Sequence, residues 1–205
     1  MQQGIVRAGY DKMARQYLDQ RGRLKTNKYV HRLIKYLPRQ ATILDLGCGA
    51  GIPVDDILLK AGHSVVGIDI SSQQIKLARK NCPQGEYIVR DINELKPREY
   101  QAQAVISFYT MFHLPRTQHA KLLQIMASYL PSGGMLLLTM GDREFEGEHV
   151  LCNEPMWSSQ WGTAKNHQLV EQAGFRIILE EIDGSGGERH QLILGRKEEM
   201  IDRIR

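Results

Sequence analysis

The segment Ile43-Leu44-Asp45-Leu46-Gly47-Cys48-Gly49-Ala50-Gly51 joins a short apolar run to a helical pattern, and it constrains the fold more than any other stretch of the chain. Glycines at 47, 49 and 51 let the backbone turn sharply and approach a ligand where a Cβ would collide. The helix start beyond them offers free N–H groups that suit a carboxylate or a phosphate. A dinucleotide loop of the Gly-x-Gly-x-x-Gly type would need glycine at position 52, which is Ile52. A phosphate loop ending in Gly-Lys-Ser or Gly-Lys-Thr is also absent.

The remaining pattern alternates short apolar runs with amphipathic ones. Strands are expected at Thr42 to Leu46, Ser64 to Ile70, Glu86 to Arg90, Ala104 to Tyr109 and Met135 to Met140. Helices are expected between them, with Ser71 or Ser72 as one N-cap and Gly62 closing another. Tyr10, Met13, Ala14, Tyr17 and Leu18 form one helical stripe near the N-terminus, and Tyr29 to Leu37 form a second before Pro38. Gly141 to Gly162 shows little periodicity. A helix over Lys165 to Ala173 and strands over Phe175 to Glu181 and Arg189 to Gly195 follow, the last two joined by a turn at 183–187. Buried strands alternating with helices predict an α/β fold with a parallel sheet covered on both faces.

Ligands of such sheets bind beyond the carboxyl ends of the strands. Asp69 ends the second strand, 20 residues beyond Gly49, where a carboxylate accepts both hydroxyl hydrogens of a ribose. Asp91 ends the third strand, within reach of an adenine amino group.

The segments Ile43 to Gly51, Val66-Gly67-Ile68-Asp69-Ile70-Ser71 and Leu130-Pro131-Ser132-Gly133-Gly134-Met135-Leu136-Leu137-Leu138 resemble the successive motifs of class I S-adenosylmethionine-dependent methyltransferases. The likeness runs over about residues 5 to 196. It implies a Rossmann-like three-layer sandwich: a mostly parallel seven-stranded sheet with an antiparallel C-terminal hairpin and N-terminal lid helices. One domain is expected over 1–205, with lid helices at 1–40, a cofactor core at 41–142, a substrate-side insertion at 143–162, and a closing helix and hairpin at 163–205. By this resemblance Gly47, Gly49 and Gly51 cradle the methionine part of S-adenosylmethionine, with S-adenosylhomocysteine as product. Asp69 holds the ribose, Asp91 and Ile92 the adenine, and Asp45 the loop or the cofactor's amino group, with Ile70 as a further cofactor contact. Ser107 and Phe108 fall beside the methionine portion.

Tyr10-Asp11-Lys12-Met13-Ala14-Arg15-Gln16-Tyr17 also resembles the Tyr-Asp-x-x-Ala-x-x-Tyr opening of small-molecule methyltransferases, a helix that folds over the cofactor. Tyr10 and Tyr17 then either contact the cofactor or pack as core. His113, after the fourth strand, is the candidate catalytic residue, with capping of the helix near Pro115 as its structural alternative. Tyr109, Trp157 and Trp161 are candidate acceptor contacts. Displacement at a sulfonium needs alignment and exclusion of water more than any obligatory side chain.

His149 and Cys152 lack a second close pair, so no metal site is expected. Three scattered cysteines give no disulfide framework. A net charge of +4 is weak for a nucleic-acid binder. No apolar run spans a bilayer and no signal peptide is visible, so a cytoplasmic protein acting on a small molecule is the expectation. The alternatives are RNA or protein methylation through Arg21, Arg23, Lys25 and Lys28, or a module that holds the cofactor without turnover.

Overall fold

A computed structural model describes residues 2–21, 27–185 and 188–199. Strands β1 (Thr42–Leu46), β2 (Ser64–Asp69), β3 (Glu86–Val89), β4 (Ala104–Ser107) and β5 (Met135–Gly141) form the parallel part of one sheet. β6 (Phe145–Leu151) and β7 (Glu154–Gln160) pair separately, and β8 (Phe175–Asp183) and β9 (His190–Lys197) return to the main sheet. Its order is β3-β2-β1-β4-β5-β9-β8, with β9 antiparallel to both neighbours. The seven-stranded, mostly parallel Rossmann-like sheet expected from the sequence is the one observed.

Alternation along the strands builds the layers. On β1, Leu44 and Leu46 enter one core with Met126 and Val170, while Ile43 enters the opposite core with Leu33 and Leu58. The first core is covered by α5 (His119–Tyr129) and α6 (Thr163–Gln172), the second by α2 (Asn27–Ile34) and α3 (Val54–Lys60). Each fully buried Leu or Ile contributes about 1.5–3 kcal/mol to holding these layers together. The long helix α1 (Gln2–Arg21) lies apart from both cores, with Val6 and Met13 packed on Met156 and Trp157 of β7. Gly9 permits that approach, because a Cβ there would meet the Met156 sulfur at 2.4 Å.

Two expectations are corrected. Gly141 to Gly162 is not irregular: β6 and β7 form a hairpin whose two-residue turn, Cys152-Asn153, has both φ angles positive (51° and 64°). That is the backbone of a primed hairpin turn, hidden here because no glycine marks it. The fourth strand stops at Ser107 rather than Tyr109, since Tyr109 turns to φ 55°. Of the turn expected at 183–187, Gly186 and Gly187 lie outside the described residues, as do Arg23 and Lys25 of the basic cluster. Lys28 is paired with Glu181 at 3.2 Å. Among the described residues, no helix is long and apolar enough to cross a membrane.

Candidate active site

Sheet order reverses between β1 and β4, so the glycine loop and the loop after β4 open a crevice at one sheet edge. Backbone N–H groups of Gly47 and Cys48 donate to the Ile68 carbonyl at 2.7 and 3.1 Å, tying the loop to the end of β2. Asp69 completes the tie. Its Oδ2 accepts from the Gly49 N–H at 2.9 Å and its Oδ1 from the Ser71 N–H at 2.8 Å. Burial pushes this carboxyl up to about 6, against the opposing pull of those two donors. Gly47 has φ 81°, and a Cβ there would lie 1.9 Å from Thr110 Oγ1, so only glycine lets the two loops touch.

The cleft has two adjoining lobes of about 530 and 540 Å³. Tyr17, Gly47, Gly49, Phe108 and Tyr109 line both, and Asp45 lines the second. Tyr10, Asp69, Ile70, Asp91, Ile92 and His113 line the first. Asp91 also shapes its own turn, accepting from the Asn93 backbone N–H at 2.9 Å. Four expected site residues sit elsewhere. Gly51 faces Tyr87, Cys82 and Asp55, while the Ser107 hydroxyl donates to the Leu46 carbonyl at 3.0 Å. Trp157 packs with Val6 and Met13 under α1. Trp161 donates from Nε1 to the Arg116 carbonyl at 3.0 Å and carries the Arg116 guanidinium 4.4 Å above its ring. Neither indole is a wall of the cleft, because the hairpin turns both rings into packing contacts.

His113 is 5% exposed and is held at both ring nitrogens. Nδ1 lies 3.0 Å from the Trp157 carbonyl, which only accepts, so Nδ1 carries the hydrogen. Nε2 then accepts from the Tyr10 hydroxyl at 2.8 Å in the neutral ring. Gln3 donates to the His113 carbonyl at 2.9 Å, and on the far rim Asp11 accepts the Ser71 hydroxyl at 2.6 Å. Neighbouring residues Tyr10 and Asp11 thereby reach opposite rims, so α1 bridges the crevice. Tyr10 and Tyr17 meet edge to face at 5.1 Å beneath it.

Sequence reasoning missed Gln74. It lies in α4 (Ser72–Asn81), is 1% exposed, and lines both lobes, yet among the described residues neither Oε1 nor Nε2 has a hydrogen-bond partner. Its Oε1 would be 3.8 Å from a Cβ on Gly49. The signal was a polar residue beside Ile75 on the inner face of α4. A buried amide left unpaired costs about 1–3 kcal/mol. Gln74→Leu is therefore expected to raise Tm by a few degrees while weakening S-adenosylhomocysteine binding about tenfold. Calorimetric titration beside a melting curve checks both, and higher Tm with unchanged affinity would leave Gln74 a packing role only.

Behind the loop, Asp55 of α3 is completely buried beside Asp45 and the Tyr87 hydroxyl, and among the described residues neither its oxygens nor that hydroxyl has a partner at hydrogen-bond geometry. Burial pushes Asp55 up to about 7, and burial together with the Asp55 carboxylate raises Asp45 well above the usual carboxylate range. Among the described residues no cation pairs with either acid, and burial holds both toward the protonated state.

Residues 43–134 match the model of a methyltransferase domain family. The trans-aconitate 2-methyltransferase of Rhodopseudomonas palustris (strain HaA2) is 29% identical over 139 residues, 67% of this chain and 51% of that protein. The enzyme of that name from Azoarcus sp. (strain BH72) is 31% identical over 115 residues, covering 56% and 44%. Over residues 43–134, which hold the glycine loop, Asp69 and Asp91, the chain is similar to a methyltransferase domain. It spans about half the length of the curated relatives it matches. In fold it is similar to the putative methyltransferase solved with the Haloferax volcanii Trm112 activator, with TM-score 0.73, 16% identity, and 94% and 97% of the two chains covered. It is also similar to the Burkholderia thailandensis 1,6-didemethyltoxoflavin-N1-methyltransferase, with TM-score 0.71, 16% identity, and 94% and 85% covered.

Proposed function

We propose that the protein transfers a methyl group from S-adenosylmethionine to a small-molecule acceptor by in-line displacement. The observation that carries this reading is the Asp69 carboxylate, clamped by the Gly49 and Ser71 N–H groups at the floor of the cleft. Each of its oxygens accepts one backbone N–H and retains a lone pair for a ribose hydroxyl. The unpaired Gln74 amide beside Gly49 fits a ligand that brings its own polar groups. Asp91 and Ile92 flank the place for the adenine, and Asp45 the place for the amino group, in the second lobe.

When bound, the sulfonium of the cofactor supplies an activated methyl group. The chain's part is to hold, align and shield. Tyr10 and Tyr17 on α1 close the cleft from above and exclude water, with Asp11 and His113 as the two fastenings. His113, held at Nδ1 and bonded through Nε2 to the Tyr10 hydroxyl, is a positioning group for Tyr10; a base is required only for an acceptor that arrives protonated. The trans-aconitate 2-methyltransferases among the relatives support a small organic acceptor.

Incubation with methyl-labelled S-adenosylmethionine and fractionated cell extract tests the assignment. Label is expected in the small-molecule fraction. Label confined to RNA or protein would overturn the acceptor class, and label in no fraction, with the cofactor bound, would overturn turnover.

A further inference from the structure

Beside the cleft, at the carboxyl end of β5, lies an open groove of about 1060 Å³. One wall is the hairpin face carrying Phe145, His149, Ser158 and Gln160; the other is the start of β9 at His190. Only a layer of rings separates it from the cleft. His190, on the groove side, meets Tyr109 of the cleft edge to face at 4.9 Å. Phe112, also on the groove side, meets His113 of the cleft at 4.9 Å and stacks on His190 at 5.2 Å with planes 10° apart. Tyr109 holds its place in this partition with the positive φ that ends β4, a conformation an aromatic residue rarely adopts and one characteristic of functional loops.

The polar lining has a definite sense. Two carboxylates are present, and both are engaged: Asp142 accepts from Arg189 Nε at 3.1 Å, and Glu188 lies 3.3 Å from His190 Nε2. Arg189, bonded to Asp142 through Nε, stands exposed. Arg143, also exposed, makes no ion pair with the described residues; only its backbone carbonyl is engaged, by Gln160 Nε2 at 3.1 Å. The buried His149 Nδ1 has no partner among the described residues. A planar guanidinium fork over aromatic walls recognises a carboxylate attached to an apolar body.

We propose that this groove docks the methyl acceptor, and that the acceptor is a small organic acid whose carboxylate is held by Arg143 and Arg189. The inference rests on the methyl-transfer reading above and adds the acceptor's charge and its side of approach. On it, the Tyr109–His190 and His113–Phe112 ring pairs stand between acceptor and donor, and they must part for the acceptor atom to reach the methyl group.

Calorimetric titration of the full chain saturated with S-adenosylhomocysteine tests it, using trans-aconitate and benzoate as acids, with trimethyl trans-aconitate and benzamide as their uncharged counterparts. At least one acid is expected to bind ten times more tightly than its counterpart. The Arg143→Gln/Arg189→Gln double variant is expected to lose that advantage while binding S-adenosylhomocysteine as the parent does, which also shows that it is folded. Neither acid binding more tightly than its uncharged counterpart would overturn the inference and leave methyl transfer standing. So would an acid bound equally well by the double variant. Failure of S-adenosylhomocysteine itself to bind would overturn the proposed function, and this inference with it.

Discussion

Asp69→Ala is expected to weaken S-adenosylhomocysteine binding by a hundredfold or more, measured by titration calorimetry. Hydrogen bonds to a charged group contribute about 1.5–3 kcal/mol each, and the two ribose hydroxyls would both lose their acceptor. At 1.4 kcal/mol per tenfold, roughly two orders of magnitude is the lower end. The substitution also orphans the N–H groups of Gly49 and Ser71, so the glycine loop loosens and Tm falls. Asp69→Asn, which keeps one carbonyl oxygen, should fall between the parent and the alanine variant. Acid should imitate the loss: with the carboxyl near 6, affinity declines as pH drops through that value and Asp69 takes up a proton. Wild-type affinity in Asp69→Ala would remove the residue from the binding account.

Asp55→Asn is expected to stabilise the protein at neutral and alkaline pH. A carboxyl whose pKa is higher in the folded chain favours folding fully at pH below its unfolded value of 3.8, and that contribution is lost as pH rises through the folded value, about 7. Asparagine has no proton to lose and nearly the same size and shape. The variant and parent should therefore melt alike near pH 4, diverge as pH climbs, and differ by about 2–4 kcal/mol above pH 7, or some 5–10 °C. Melting curves from pH 4 to 9 check this. A gap that is constant with pH, or that favours the parent at pH 8, would mean that Asp55 is ionised and paired in the folded state.

The parallel core was legible because its signals are local: apolar strands, a Ser71 cap whose hydroxyl does accept from the Gln74 N–H, and glycines where φ is positive. Asp69 and Asp91 were legible for the same reason, since Asp69 ends β2 and Asp91 follows β3 by two residues at the ligand edge of the sheet. The β6–β7 hairpin was not, because Cys152-Asn153 adopts a turn that composition assigns to glycine, and the exposed face of β6 dilutes its alternation. Trp157 and Trp161 were drawn toward an acceptor pocket by residue type alone; their surroundings depend on where the hairpin folds back onto α1 and Arg116. Gln74 and Asp55 were invisible for a different reason. What marks them is a missing hydrogen-bond partner, a property of the packed interior.

The most direct test of the central claim is a melting comparison of the full chain with S-adenosylhomocysteine, S-adenosylmethionine and NAD. A ligand that binds only the folded state at a hundred times its Kd adds about 2.7 kcal/mol, or some 5–10 °C for a chain of this size. Both adenosyl compounds are expected to produce that rise, with NAD producing none. A rise with NAD alone, or with none of the three, would contradict the account.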